Sequence, residues 1–99
     1  MTDEITGSST VVLSKDQVSA DLSGEAVILN LKSGIYYGLN EVGARIWNLV
    51  QEPKTVNDIR DTLIEEFDVE PDQCEADLFA LLKELLSHGL IEVRNEKDP

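Results

Sequence analysis

The sequence predicts an α+β domain in which a three-stranded antiparallel sheet precedes a three-helix bundle resembling a winged helix-turn-helix. Over about the first forty residues, apolar and polar side chains alternate, and glycine-containing turns separate the alternating segments. From about residue 42 to residue 88 the apolar spacing changes to about 3.6 residues, the period of an α-helix. Strands that come first and helices that follow are typical of the α+β class.

The strand region has the pattern of an antiparallel meander. Short strands are expected at residues 10–13, 18–22, 26–31 and 35–39, with turns at Ser23-Gly24 and at 32–34. Consecutive strands joined by tight turns pair in chain order, and three of these segments are expected to form the sheet.

Each predicted helix has start or stop signals in the sequence. The signals are Asn40 and Pro53 for the first helix, Thr55 with Asp58 for the second, and Pro71 and Gly89 for the third. The third helix should run to about His88, where a cation is favoured by the helix dipole. A short strand or extended tail follows at 90–93. We therefore expect a flexible N-terminus at 1–9, a single domain at 10–94 and a charged tail at 95–99.

The chain is strongly acidic, with 20 Asp and Glu against 8 Lys and Arg and a formal charge of -12. This balance argues against nucleic-acid binding, which relies on Lys and Arg, and against docking on anionic lipid. Either a basic or neutral partner or solubility alone would explain it.

Cysteine usage and the first residues indicate the cytoplasm. Cys74 is the single cysteine, so no intrachain disulfide can form. The acidic N-terminus lacks the apolar segment of a signal peptide, and the apolar runs are too short to cross a bilayer.

The sequence lacks the residue sets that enzyme chemistry requires, so we expect no catalysis, metal or cofactor. His88 and Cys74 are the only residues of their types, and about four helical turns, roughly 21 Å, separate them. Cys74 is expected to be a small buried hydrophobe. Trp47 is either a core residue or a binding platform.

The apolar arc of the third helix is about 160° wide, more than the ~100° that one core contact requires. Its centre carries Leu81, Cys74, Leu85 and Leu78, and Leu82, Leu86 and Phe79 extend it to one side. Such a helix either packs on two neighbours or lines a groove. We expect the groove to lie beside strand 35–39, a short edge strand that carries Tyr36 and Tyr37.

An ordered set of segments resembles the PqqD-like family over about residues 16 to 94. The segments are 26–31, 34–40, 42–47, Thr55-Val56 with Ile59, Asp77-Leu78 with Leu85, and 88–91. The resemblance implies three antiparallel strands that pack on three helices arranged as in a winged helix. It also implies a recognition element for ribosomally synthesised, post-translationally modified peptides, which binds the precursor's leader between the third strand and the third helix.

The resemblance and the groove together indicate a set of leader-binding residues. They are Ile35, Tyr36, Tyr37, Gly38, Asp77, Leu78, Phe79, Leu81, Leu82 and Leu85. Asp77 either pairs with a basic leader residue or is a solvated helix carboxylate.

The runs at 36–40 and 42–47 resemble the stand-alone lasso-peptide members of the family. That resemblance implies a cysteine-protease-like leader peptidase as partner, with a cyclase acting afterwards. The alternative is a member that delivers its peptide to a radical-SAM enzyme in pyrroloquinoline quinone synthesis, although this chain lacks their Arg- and Trp-rich strand segment.

A further alternative from another class is an acidic winged-helix regulator. Residues 70–89 would be the DNA-recognition helix of such a regulator, and their net charge of about -4 argues against it because it would repel the phosphates of DNA. Leader sequence, final product and oligomeric state stay open at this point.

Overall fold

The computed structural model describes residues 5–95 and contains six strands and three helices in that range. Their order is β1 (Thr10–Leu13), β2 (Gln17–Leu22), β3 (Glu25–Asn30), β4 (Tyr36–Leu39), α1 (Glu41–Leu49), β5 (Lys54–Thr55), α2 (Val56–Phe67), α3 (Pro71–Ser87) and β6 (Ile91–Arg94). The predicted α+β class is confirmed.

Strands β2, β3 and β4 form the expected antiparallel meander, called here the meander sheet. Its inner face carries the buried residues Ala26, Ile28 and Leu39, which contact the helices. Opposite residues share a face, and Tyr37 therefore joins this inner set because it pairs with Ile28.

The prediction of a single sheet was wrong, because a second three-stranded antiparallel sheet has the order β5-β1-β6. We call it the terminal sheet. Strand β1 forms where the sequence predicted a strand, but Thr10 pairs with Thr55 on one side and with Arg94 on the other. Alternation of apolar and polar residues identifies an extended segment without identifying its partner. The winged helix-turn-helix arrangement stays a prediction.

Residues 5–9 pack against the domain, although the sequence analysis placed them in a flexible N-terminus. Ile5 is 8% exposed, and the Ser9 hydroxyl donates to Asn95 Oδ1. The Ser9 and Gly7 carbonyls accept the first backbone N–H groups of α2, those of Val56 and Asn57, both at 3.0 Å. Residues 1–4 and 96–99, which belong to the two predicted terminal segments, lie outside the described residues.

The predicted N-caps of the first two helices are confirmed. Asn40 Oδ1 accepts the Gly43 N–H at 2.9 Å, and Thr55 Oγ1 accepts the Asp58 N–H at 3.2 Å. Because Asn40 directly follows β4, helix α1 begins at the very end of that strand.

Helix α3 begins at Pro71, as predicted, and ends with a Schellman motif. Gly89 has φ +73°, and its N–H donates to Leu86 O at 3.0 Å. The Leu90 N–H donates to Leu85 O at 3.0 Å, and His88 is the C-cap residue. The turn directs the chain into β6.

The core lies between the meander sheet and the helices, and Trp47 is its largest fully buried side chain. This side chain is 2% exposed, and its Nε1 donates to Ser19 Oγ at 3.0 Å. Trp47 is therefore a core residue, which resolves the alternative left open by the sequence. Among residues 5–95, no helix is both long and apolar enough to span a bilayer.

Candidate functional site

A groove with a cavity volume of about 510 Å³ lies between β4 and α3. We call it the β4–α3 groove. One wall is formed by the four residues of β4, 36–39. The other wall is formed by side chains of α3, namely Cys74, Asp77, Leu78, Leu81, Glu84 and Leu85, with His88 at its end. The strand and the helix that the sequence analysis proposed as neighbours are therefore brought together.

Seven of the ten residues proposed from the sequence line this groove. They are Tyr36, Tyr37, Gly38, Asp77, Leu78, Leu81 and Leu85. Tyr36 is 67% exposed, whereas Leu78 is 1% exposed and forms part of the groove floor. Leu81 is half-buried, so its side chain is accessible in the groove.

The other three proposed residues do not line the groove. Leu82 is fully buried in the core, so its proposed role as part of the accessible wall is corrected. Because successive helical residues are about 100° apart, Leu82 points to the core while Leu81 points to the groove. Phe79 packs against the core, and Ile35 lies just before β4 with 51% exposure.

The groove continues past the end of β4 into a pocket that the sequence analysis did not propose. The pocket is formed by Asn40 and the first turns of α1, the end of α2 and the following loop, and its residues are Asn40, Val42, Gly43, Ile46, Leu63, Phe67 and Val69. The N-cap at Asn40 was a usable signal, because it places Val42 and Gly43 immediately beyond β4. The contribution from α2 depends on tertiary packing and has no local signal.

Strand β4 is an open edge, since among residues 5–95 it pairs only with β3. The Asn30 N–H donates to Ile35 O at 3.0 Å, which orients the backbone of residue 35 towards β3. Backbone groups of successive strand residues point to opposite sides, so residue 37 also faces β3. The N–H and C=O groups of Tyr36 and Gly38 consequently face the open edge.

Asn30 connects the two walls of the groove. Its side chain is 9% exposed, and Nδ2 donates to the His88 carbonyl at the end of α3 at 2.7 Å. Its Oδ1 accepts the N–H groups of Lys32 and Ser33, at 2.9 and 3.1 Å, in the turn that precedes β4. This one side chain therefore positions the strand relative to the helix.

The ring of His88 contacts the ring of Tyr37, with centroids 4.5 Å apart and planes tilted by 35°. This contact closes the end of the groove nearest the α3 C-terminus. His88 lies at the helix end, as predicted from the sequence, and it also lines the groove, which the sequence did not indicate.

The polar side chains of α3 at the groove are acidic. Asp77 and Glu84 both line it, and Asp77 Oδ1 accepts a hydrogen bond from Gln73 Nε2 at 2.9 Å. The groove therefore combines an apolar interior with negative charge on its helical side.

Cys74 lies in the groove floor and is 7% exposed, as expected of a small buried hydrophobe. Burial raises the pKa of the Cys74 thiol, and the nearby Asp77 carboxylate raises it further. The thiol is thus held in its protonated form, which is the opposite of the activation that a nucleophile needs. Within residues 5–95, no group of three or more His, Cys, Asp or Glu side chains could hold a metal ion.

An open sheet edge beside an apolar helical wall is an arrangement that an extended polypeptide can enter by adding a strand. The family model described as coenzyme PQQ synthesis protein D (PqqD) matches residues 25–91, a range that includes β4, α3 and the whole groove. The chain belongs to this family, as the sequence resemblance predicted.

Two solved structures have similar folds. TbiB1 in complex with the TbiA(beta) leader peptide is 36% identical, with a TM-score of 0.77, and the match covers 88% of this chain and 99% of that one. A lasso peptide synthetase B1 complexed with the leader peptide is 27% identical, with a TM-score of 0.73, and the match covers 82% of this chain and 95% of that one. No curated protein matches the sequence.

Proposed function

We propose that this protein binds the leader segment of a ribosomally made precursor peptide and presents it to a modifying enzyme of lasso-peptide biosynthesis. The observation that carries the proposal is the β4–α3 groove, in which an open strand edge lies beside an apolar helical wall. Two similar structures are complexes with leader peptides, which supports the same assignment.

The leader adds to the meander sheet as a fourth strand beside β4. Its backbone hydrogen-bonds to Tyr36 and Gly38, whose N–H and C=O groups face the open edge. The leader residues opposite Tyr37 and Leu39 lie on the same inner face of the sheet as these two residues. The side chains of those leader residues therefore enter the groove.

The energies of these contacts are sufficient for specific binding. Each backbone hydrogen bond contributes about 0.5–1.5 kcal/mol net, and each buried apolar anchor about 1.5–3 kcal/mol. Ordering of the peptide and its lost translational freedom oppose these terms. The balance is compatible with micromolar or tighter affinity, about -8 kcal/mol or better.

Charge favours a leader that is neutral or basic. The carboxylates of Asp77 and Glu84 lie along α3 at the groove, and the whole chain carries a formal charge of -12. A Lys or Arg of the leader next to Asp77 would gain a charged partner, and this attraction would also accelerate encounter at low salt.

We further propose that the modifying enzyme is a cysteine-protease-like leader peptidase, as in the lasso pathway. Leader cleavage by such a peptidase should accelerate when this chain is added. Acceleration of a radical-SAM enzyme of pyrroloquinoline quinone synthesis, with no effect on the peptidase, would favour the alternative partner.

Leader binding is tested by fluorescence anisotropy with labelled leader peptides of the two similar proteins and of any precursor encoded beside this chain. We expect Leu81→Glu to weaken binding at least tenfold, because it places a charge on the apolar wall. Ala80→Glu is the matched control, since it adds the same charge at the neighbouring exposed position outside the groove.

Strand addition makes a separate prediction for the peptide. Single N-methylation should weaken binding at alternate leader residues, those whose N–H groups face β4, and should be tolerated at the residues between them. Absence of saturable binding to every leader tested would overturn the proposal, as would salt-sensitive retention on DNA without leader binding, which would favour the regulator.

A further inference from the structure

The fold of the chain does not require glycine at position 38. Gly38 lies inside β4, its φ is outside the left-handed region, and a Cβ built on it meets nothing within 4 Å. Gly34, by contrast, has φ +74°, which favours glycine. Glycine weakens a strand interior, and it often marks a place where a ligand or another backbone approaches closely.

Gly38 borders the β4–α3 groove only with its backbone, and a side chain at this position would lie on the outer face of the meander sheet, the face directed away from the helices. It pairs with Val27, which in turn pairs with Ala20, so the three residues form one row across the sheet. Tyr36, two residues before Gly38 in β4, lies on the same face and is 67% exposed.

This outer face is almost entirely apolar although it is exposed. Besides Val27, Ala20 and Tyr36 it carries Val18, Leu22 and Leu29, and the one charged residue that the strands place on it is Glu25. Val18 and Leu22 are 51% and 50% exposed. Gly38 itself adds no side chain to this face, on which Tyr36 and Val27 are its neighbours.

A strand added at the open edge places one residue directly opposite Gly38. That residue projects its side chain onto the outer face, with its Cβ about 4.5–5.5 Å from where a Gly38 Cβ would stand. A large side chain there can lie across the glycine and contact Tyr36, whereas a side chain at position 38 would occupy the same space.

We infer that Gly38 is a specificity-determining residue: it creates a subsite on the outer face of the sheet for a large apolar side chain of the bound peptide. The inference rests on the proposed leader binding and extends it to the face of the guest strand that points away from the groove. The apolar side chains of Tyr36 and Val27 beside Gly38 favour an apolar occupant.

The test is a double-mutant cycle between position 38 and each leader position. Gly38→Val is compared with Gly38→Ala and with Ala20→Val, which enlarges a side chain in the same row on the strand farthest from the open edge. Thermal melting should show all three variants folded, because a Cβ at position 38 meets nothing within 4 Å and Ala20 is exposed.

We expect Gly38→Val to weaken binding of the TbiA(beta) leader about tenfold, with a smaller effect of Gly38→Ala and none of Ala20→Val. Replacement of one leader residue, the large apolar one opposite Gly38, by alanine should abolish that difference between the wild type and Gly38→Val.

The outcomes separate this inference from the proposed function. If the wild type binds the leader and Gly38→Val binds every leader variant as tightly as the wild type does, the subsite is refuted while leader binding stands. A loss that is the same for every leader variant would also refute it, because glycine would then serve backbone approach alone. If the wild type binds no leader, the proposed function falls and this inference falls with it.

Discussion

Replacement of Asn30 by alanine tests whether one side chain holds the two walls of the groove together. The substitution removes the donor to the His88 carbonyl, at 2.7 Å, and the acceptor of two N–H groups in the turn before β4. Strand β4 and the end of α3 would then lose their direct polar connection.

The magnitude follows from the exposure of the groups that lose their partner. The hydrogen bond to the His88 carbonyl is part-buried, so a carbonyl left without its donor costs about 1–3 kcal/mol. The amides of Lys32 and Ser33 belong to exposed residues and can bind water instead, so their loss adds about 0.5 kcal/mol each. We therefore expect Asn30→Ala to lower the free energy of unfolding by about 2–4 kcal/mol.

Urea denaturation measures this loss directly, and thermal melting should show a decrease of roughly 10–30 °C for a domain of this size. Ser33→Ala is the matched control in the same turn, since it removes only the exposed bond from the Ile35 N–H and should cost less than about 0.5 kcal/mol. A loss for Asn30→Ala no larger than that of Ser33→Ala would refute the reasoning.

Three further predictions concern the core, an ion pair and a turn. Leu82→Ala should destabilise the fold by about 2–5 kcal/mol in denaturation, clearly more than Leu81→Ala, because only Leu82 is fully buried; equal losses would contradict its assignment to the core. Arg45 forms a bidentate pair with Glu66, at 2.8 and 2.7 Å, and this hydrogen bonding holds the pKa of Glu66 below its ordinary value of 4.5. The stabilisation from this ion pair is therefore present above pH 4.5 and is lost as the pH falls through the lowered pKa of Glu66. Glu66→Gln should be less stable than the wild type at pH 7, and the two stabilities should converge in acid. A stability difference that does not depend on pH would exclude the ion pair as its cause. Gly34→Ala should cost about 1–2 kcal/mol in thermal melting, because φ at residue 34 is +74°, and an unchanged melting temperature would show that the turn tolerates a side chain.

The sequence predicted the elements of the fold better than their association. Caps at Asn40 and Thr55 and the glycine at 89 define helix ends through local hydrogen bonds, so these predictions were confirmed. Strand β1 was located correctly, but its partners β5 and β6 are distant in the sequence, and alternation of residues contains no information on them.

The site was predicted in the same partial way. The wide apolar arc of α3 indicated two contact surfaces, but a helical wheel does not say which side faces a groove, and Leu82 was therefore placed in the wall with Leu81. The pocket beyond β4 was missed because residues such as Leu63 and Phe67 reach it only through the packing of α2 on α3.

The pairing of β1 with β6 brings the two ends of the described domain side by side, since Thr10 lies opposite Arg94. No residue of these two strands lines the β4–α3 groove. A circular permutant that joins the two ends and opens the chain at another surface turn should therefore keep the β4–α3 groove. For the same reason, an enzyme fused at either end would be tethered from one common point while the groove stays free to accept a substrate.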